Sequence, residues 1–97
     1  MERGGCVYIM TNDFNTVYYI GVTSDLHSRV IDHKCKRYPT SFTAKYNCTK
    51  LVYFMFYVSI EEAIAEEKKL KKWNRDWKIK LIGNNNPQWL DLFNEDL

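Results

Sequence analysis

The feature that most constrains the fold is an unbroken apolar and aromatic run at residues 51–58, in the middle of the chain. A run of this length without any charge is typical of a β-strand buried on both faces. Two shorter β-branched and aromatic runs precede it, at residues 6–10 and 17–21, and the turn-forming residues between them predict a hairpin of two antiparallel strands. We therefore expect a hairpin followed by a third strand at the centre of the core.

Signals for helix starts follow both the hairpin and the third strand. Residues 23–25 offer an N-cap for a short helix that continues to about Lys34. Ser59 and Glu62 form a capping box, which predicts a second helix that continues to about Lys72. The predicted order up to this point is therefore ββαβα.

The C-terminal quarter predicts two further helices. Asn74 is a candidate N-cap for a helix over residues 75–82, with Trp77 turned inward and Gly83 as its stop. Asn86 followed by a proline predicts a short final helix at residues 87–93. Without this short C-terminal helix, the elements have the order ββαβαα, in the α+β class.

Length and composition indicate one domain. The chain has 97 residues and no repeat, low-complexity tract or linker, and a chain of this size buries about 60–70% of its unfolded surface, enough for one core. We therefore expect a single domain over residues 1–97, with its core at 6–82. The longest stretch without a charge has 11 residues, which is shorter than the roughly 18 apolar residues of a membrane span.

The start of the chain and the cysteines bear on the compartment. The first residues lack the apolar segment and cleavage site of a secretory signal. Cys6, Cys35 and Cys48 are odd in number and form no Cys-x-x-Cys pair, which argues against a disulfide framework and a structural zinc site. We expect reduced thiols and a cytoplasmic location.

The net charge of +2 hides the fact that basic and acidic residues are concentrated in separate segments of the chain. Residues 34–53 carry five basic groups and no acid, residues 54–67 carry four glutamates and no base, and residues 68–80 carry seven basic groups against one acid. This order is typical of two phosphate-binding patches beside a carboxylate that attracts a metal. An ordinary solvated surface with helical ion pairs gives the same counts.

Glu67 is the residue of the second helix that most needs an explanation. At about 100° per residue it falls within the apolar stripe that Ile60, Ala63 and Leu70 form. A carboxylate in that stripe is destabilised unless a cation, a metal or hydrogen-bond donors meet it. Two interpretations remain open: a metal ligand, or a carboxylate at the edge of the stripe that reaches solvent or pairs with Lys71.

Arg29 and His33 are one turn apart on the first helix, so their side chains project from the same side. Two such groups can address one ligand. The alternative is a surface ion pair of Arg29 with Asp25 or Asp32 and a solvated or hydrogen-bonded His33.

Several short motifs, taken in order, resemble those of the GIY-YIG nuclease superfamily. They are Val7-Tyr8-Ile9, Tyr19-Ile20-Gly21, Arg29, His33 and Glu67, and the similarity is greatest to small stand-alone bacterial members. The first tripeptide, Cys6-Val7-Tyr8, lacks the glycine of the family. The resemblance implies a three-stranded antiparallel sheet flanked by helices, which agrees with the order ββαβαα. It also implies binding of DNA and cleavage of one phosphodiester bond per site with a divalent metal.

The resemblance also assigns roles to individual residues. It implies that Glu67 holds Mg²⁺ or Mn²⁺ and that Arg29 clamps the scissile phosphate. It implies that Tyr8 or Tyr19 orients or deprotonates the attacking water, with His33 sharing that task. The asparagine that many members have near the active site is Asn74 or Asn86, and the sequence leaves this choice open.

Strand geometry and charge add further expectations. Alternation turns Tyr18 to the sheet face opposite Tyr19, and the missing side chain of Gly21 lets a phosphate or the next helix approach. Candidate contacts to the DNA backbone are Lys34, Lys36, Lys45, Lys68 and Lys72.

The leading hypothesis is thus a metal-dependent DNA endonuclease, acting in DNA repair or recombination. A second hypothesis is a non-catalytic nucleic-acid-binding module that keeps the nuclease fold, and a third is a protein-interaction domain with an aromatic surface. Because the chain is short, we expect target choice to come from the domain itself or from a protein partner. The sequence does not indicate an oligomeric state.

Overall fold

The computed structural model of the protein describes residues 4–94. Three strands, β1 (Gly5–Thr11), β2 (Tyr18–Thr23) and β3 (Lys50–Tyr57), form one antiparallel sheet in the order β2-β1-β3. The helices within this range are α1 (Leu26–Lys34), α2 (Phe42–Lys45), α3 (Ile60–Lys72) and α4 (Arg75–Asn85). The α+β class and the order ββαβαα are confirmed, with the one-turn helix α2 added in a segment that we expected to be a loop.

The central strand is β1 and not β3, so the expectation of a central strand buried on both faces at residues 51–58 is wrong. All seven residues of β1 are buried. β3 pairs with β1 alone, and its second half becomes accessible, with Met55 exposed at 42%. The reason is that an apolar run reports which faces of a strand are covered, whereas the order of strands depends on which backbones pair.

Each face of the sheet is covered by a different set of helices. Val7 and Ile9 of β1 pack with residues of α3 and α4. Tyr8 and Met10, which alternate with them, pack with residues of α1 on the other face. No helix within residues 4–94 is long and apolar enough to cross a membrane. The assignment of the whole chain to one domain stays a prediction.

Three of the four predicted helix starts are confirmed. α1, α3 and α4 begin after Asp25, Ser59 and Asn74, and each of these side chains accepts a hydrogen bond from the backbone N–H three residues on. Two details of α4 differ from the expectation. The helix continues past Gly83 to its last residue, Asn85, and Trp77 is 55% exposed instead of turned inward.

The predicted helix at residues 87–93 does not form. Asn86 is buried, and its side-chain amide donates to the carbonyl oxygens of Val52 at 3.1 Å and Leu90 at 2.8 Å. Its side-chain oxygen accepts from the backbone N–H of Leu90 at 3.1 Å. These bonds close a turn after α4 in place of a helix start.

Asp91 holds the following residues against the start of β3. Its carboxylate accepts from the backbone N–H of Leu51 at 3.2 Å, and the N–H of Leu92 donates to the Leu51 carbonyl at 2.7 Å. The same carboxylate pairs with Lys34 of α1. Tertiary hydrogen bonds therefore override the local helix signal in this segment.

We predict that Asn86→Ala lowers the free energy of unfolding by about 1–3 kcal/mol, because it leaves the buried Val52 carbonyl without its donor. Urea denaturation followed by circular dichroism measures the change. The matched control is Asn84→Ala, an exposed position of α4, where alanine leaves stability unchanged or slightly higher. Equal effects at the two positions would contradict a structural role for Asn86.

Candidate active site

Tyr8 lies in the middle of the central strand and is completely buried beside Gly21 of β2. The two residues are direct partners across the strand pair, and a Cβ at residue 21 would come within 2.5 Å of the Tyr8 hydroxyl oxygen. The missing side chain of Gly21 therefore makes room for the Tyr8 ring. This contact replaces the expected reason for the glycine, the approach of a phosphate or of the next helix.

The Tyr8 hydroxyl begins a buried chain of hydrogen bonds. It lies 2.9 Å from Nε2 of His33, and Nδ1 of His33 lies 2.8 Å from the hydroxyl of Thr43. Sequence reasoning missed Thr43. The one sequence feature that bears on Thr43 is weak. Ser41 is an N-cap for the one-turn helix α2, and this helix sets the direction in which Thr43 points.

The protonation states of this chain follow from burial. Burial and, to a smaller extent, the neighbouring Arg29 guanidinium lower the pKa of His33 to about 4. Burial also raises the pKa of Tyr8 above the ordinary value of a phenol, with a contribution from Tyr19. At neutral pH Tyr8 is thus a protonated donor. His33 is neutral and can accept at Nε2 when its Nδ1–H donates to Thr43.

Arg29 and Tyr19 meet this chain at a pocket of about 100 Å³ that opens between α1 and α2. The ring of Tyr19 lies 6.2 Å from that of Tyr8 and 5.4 Å from that of His33, measured between centroids. The Arg29 side chain is 36% exposed, and its ion pair with Asp32 is long, at 3.7 Å. Three of the five predicted catalytic residues, Tyr19, Arg29 and His33, therefore line one pocket, and the buried Tyr8 joins them through its hydrogen bond to His33.

Glu67, the fifth, is on α3, which covers the opposite face of the sheet. Its side chain is 13% exposed, and its Oε2 forms an ion pair with Nζ of Lys71 at 3.1 Å. Lys71 in turn lines a cleft of about 320 Å³ with Tyr19 and Phe42, at the edge formed by β2. Glu67 itself does not line the pocket. Its partner Lys71, which the second interpretation of the sequence named, lines a cleft that shares Tyr19 and Phe42 with the pocket.

The carboxylate of Glu67 has the chemistry that Mg²⁺ or Mn²⁺ requires. Within residues 4–94 no group of three or more His, Cys, Asp or Glu side chains is placed to hold a metal. Mg²⁺ is nevertheless commonly bound by one or two carboxylates, with waters and substrate phosphates completing the shell. A single hard oxygen ligand with a replaceable lysine partner fits that pattern.

The five predicted DNA-contacting lysines differ in whether their side chains already have hydrogen-bond or ion-pair partners. Lys34 donates to the Thr49 carbonyl at 2.9 Å and pairs with Asp91, and Lys36 donates to the Asn47 side chain. The other three are exposed and have no partner in the described part of the chain: Lys45, Lys68 and Lys72.

The two candidate asparagines both serve the backbone. Asn74 accepts from the N–H of Trp77 at the start of α4, and Asn86 holds the turn after α4. The strand alternation expected for the tyrosines is observed, since Tyr18 packs with the α3 face and Tyr19 with the α1 face.

Comparison with known proteins identifies the family. A family model described as the GIY-YIG catalytic domain matches residues 4–80. Since this match covers most of the chain, the protein belongs to the GIY-YIG family, whose members are endonucleases, and this supports a nuclease class. Searches of curated proteins and of solved structures returned no match.

We predict that Gly21→Ala destabilises the protein by about 1–3 kcal/mol, because the added methyl group overlaps the Tyr8 ring in a packed core. Gly83→Ala is the matched control. Residue 83 lies in α4 with open space around it, so alanine adds about 0.5–1 kcal/mol through helix propensity. Urea denaturation of the two variants should show opposite signs, and a shared sign would contradict the Tyr8–Gly21 contact.

We also predict that His33 makes stability depend on pH between about 6.5 and 4. In that window an unfolded histidine binds a proton at its ordinary pKa of 6.5, whereas the folded protein takes it up only near 4. Stability is therefore lost as the pH falls, by at most about 1.4 kcal/mol per pH unit for one proton. The measurement is the difference in unfolding free energy between wild type and His33→Gln at several pH values. A difference that does not change with pH would contradict burial of a neutral His33.

Proposed function

We propose that this protein is a metal-dependent endonuclease that hydrolyses phosphodiester bonds in DNA. The observation that carries the proposal is a pocket lined by Tyr19, Arg29 and His33, with the buried Tyr8 hydrogen-bonded to His33 behind it, in a chain that belongs to the GIY-YIG family. A phenol, an imidazole and a guanidinium are together the groups needed to move a proton and to hold a phosphate.

Tyr8 and His33 act as one proton-transfer unit in this proposal. The high pKa of the buried Tyr8 phenol makes a preformed phenolate unfavourable at neutral pH. As the attacking water loses a proton to the Tyr8 oxygen, the hydroxyl proton of Tyr8 therefore passes to Nε2 of His33. Thr43 keeps the hydrogen of the neutral imidazole on Nδ1, so that Nε2 remains the acceptor.

Arg29 holds the scissile phosphate at the mouth of the pocket. Its guanidinium is partly exposed, and the 3.7 Å ion pair with Asp32 is weak enough to be exchanged for a phosphate. Tyr19, which lines the same pocket, orients the phosphate or the water through its hydroxyl. Arg29 therefore supplies the positive charge that binds the phosphate, and Tyr19 orients the phosphate or the attacking water.

Glu67 is the residue that would hold Mg²⁺ or Mn²⁺. A divalent ion there supplies positive charge for the phosphate oxygens and for the leaving group. Lys71 pairs with the Glu67 carboxylate in the structure, and a bound ion would take the place of this lysine. Lys71 would then remain as a cation in the cleft beside Tyr19.

The wider setting of the proposal rests on charge and on the thiols. Lys45, Lys68 and Lys72 are exposed and suited to phosphate contacts without base preference. Cys35 is an exposed thiol, which suits the reducing cytoplasm. We place the activity in DNA repair or recombination, with any further target choice made by a protein partner.

The Glu67–Lys71 ion pair favours one alternative, a binding module that keeps the nuclease fold without cutting. If the lysine holds the carboxylate too firmly, no ion displaces it and only DNA binding remains. Such a module would bind DNA in a salt-dependent manner and leave it intact.

The test of the proposed activity is cleavage of supercoiled plasmid with Mg²⁺ or Mn²⁺, followed as nicked and linear products on gels. We expect wild type to cut and EDTA to stop it. Tyr8→Phe should cut about 10²–10⁴-fold more slowly, because it loses the proton-transfer group, and Glu67→Gln should lose at least as much. Glu61→Gln, at an exposed position of the same helix, is the control and should match wild type. Plasmid and single-stranded DNA both left intact with both metals, or a Glu67→Gln variant as fast as wild type, would refute the endonuclease.

A further inference from the structure

A row of aromatic rings leads from the candidate active site to the protein surface. The ring centroids of Tyr19 and Phe42 are 6.1 Å apart, and those of Phe42 and Tyr46 are 4.7 Å apart. Phe42 is 45% exposed and Tyr46 is 47% exposed. The row therefore starts at a pocket residue and ends with two large rings in solvent.

Folding of α2 does not require these exposed rings. The residues that anchor this one-turn helix are Thr43 and Ala44, which are buried, and Thr43 binds His33. Phe42 and Tyr46 are four positions apart, so they share the outward side of the turn. Two neighbouring exposed aromatic rings beside a site point to a ligand with flat apolar faces.

The surroundings of the two rings connect them to the site and to a further cleft. Phe42 lines both the pocket with Arg29 and the cleft with Lys71. Tyr46 lines a third cleft, of about 460 Å³, whose other walls include Phe14, exposed at 84%. That volume is within the usual range for small-ligand sites.

The charge around the rings matches a phosphate backbone. Lys45 is exposed between Phe42 and Tyr46, and Lys36 lines the third cleft. Asp13 is an acidic group of that cleft, but residues 34–53 carry five basic groups and no acid. Rings interleaved with lysines are the pattern by which proteins bind single-stranded nucleic acid.

We propose that Phe42 and Tyr46 form a stacking platform for the bases of unpaired DNA beside the scissile phosphate. The cleft between Tyr46 and Phe14 receives the next base. Bases inside a duplex are covered by their neighbours, so exposed rings of this kind can stack only on bases outside it. This inference rests on the proposed function and narrows its substrate to single-stranded DNA or to junctions with an unpaired strand.

The test measures binding without cleavage, by fluorescence anisotropy of labelled oligonucleotides in EDTA at fixed salt. The probes are a single strand, the same strand with abasic sites at successive positions, and the duplex. Wild type should bind the intact single strand more tightly than either other probe. Phe42→Ala and Tyr46→Ala should each lose about 5- to 100-fold for that strand, and the double variant should no longer distinguish it from the abasic strand.

Matched variants separate stacking from folding. Phe42→Tyr and Tyr46→Phe keep a ring and should keep the affinity of wild type, whereas Phe42→Leu and Tyr46→Leu keep apolar bulk and should lose it. Val58→Ala, at a residue exposed at 83% on another surface, should change nothing. Alanine variants that bind like wild type, or a wild type that binds the abasic strand equally well, would overturn the platform. It would also be overturned if sedimentation showed that these substitutions abolish a dimer and leave DNA affinity unchanged.

The outcomes for the platform and for the endonuclease are distinguishable. Ring-dependent binding in EDTA, with neither the plasmid nor the labelled single strand nor a junction cut in Mg²⁺ or Mn²⁺, supports the platform and refutes the endonuclease. Metal-dependent cutting by a protein whose binding ignores both rings supports the endonuclease and refutes the platform.

Discussion

The rest of the structure depends on one buried phenol, that of Tyr8, in the centre of the sheet. A buried hydroxyl without a partner is strongly unfavourable, so its position requires a hydrogen-bonding partner, which is His33 of α1 at 2.9 Å. The imidazole is itself buried and requires a second partner, which is Thr43 of α2. One polar chain thus joins the central strand to two helices, and Gly21 on the neighbouring strand leaves the space in which it begins.

The same arrangement decides where a substrate can enter. Both faces of β1 are covered by helices, and the pocket and the cleft open beside β2, at one edge of the sheet. Tyr19 of that strand lines the pocket with Arg29 and also the cleft with Lys71. In the proposed function, this shared residue is the link between Glu67, on a helix of the opposite face, and the groups from α1. The proposal therefore makes the edge of the sheet, rather than either face, the working surface.

Sequence patterns predicted the local features well and the non-local ones poorly. The N-caps Asp25, Ser59 and Asn74 were confirmed because a cap depends on residues within one turn. The central position of β1 was missed, because burial of a strand does not reveal its neighbours. The extended segment after Asn86 was missed because its partners, in β3, are more than 30 positions away in the chain. Thr43 was missed for a similar reason, since its contact with His33 depends on the fold of the connecting loop.

The neutrality of His33 sets the direction of proton transfer in the proposed mechanism, from Tyr8 to His33. Burial and the adjacent Arg29 both disfavour the imidazolium, so His33 is neutral at pH 7 and able to accept a proton. In the proposed mechanism a phosphate that binds Arg29 brings negative charge to the same place and offsets the cation. Nearby negative charge favours the protonated imidazole, so the substrate itself raises the affinity of His33 for the proton that Tyr8 must release. In the proposed mechanism His33 therefore takes up the proton only when a phosphate is bound, so that water is activated only beside the substrate.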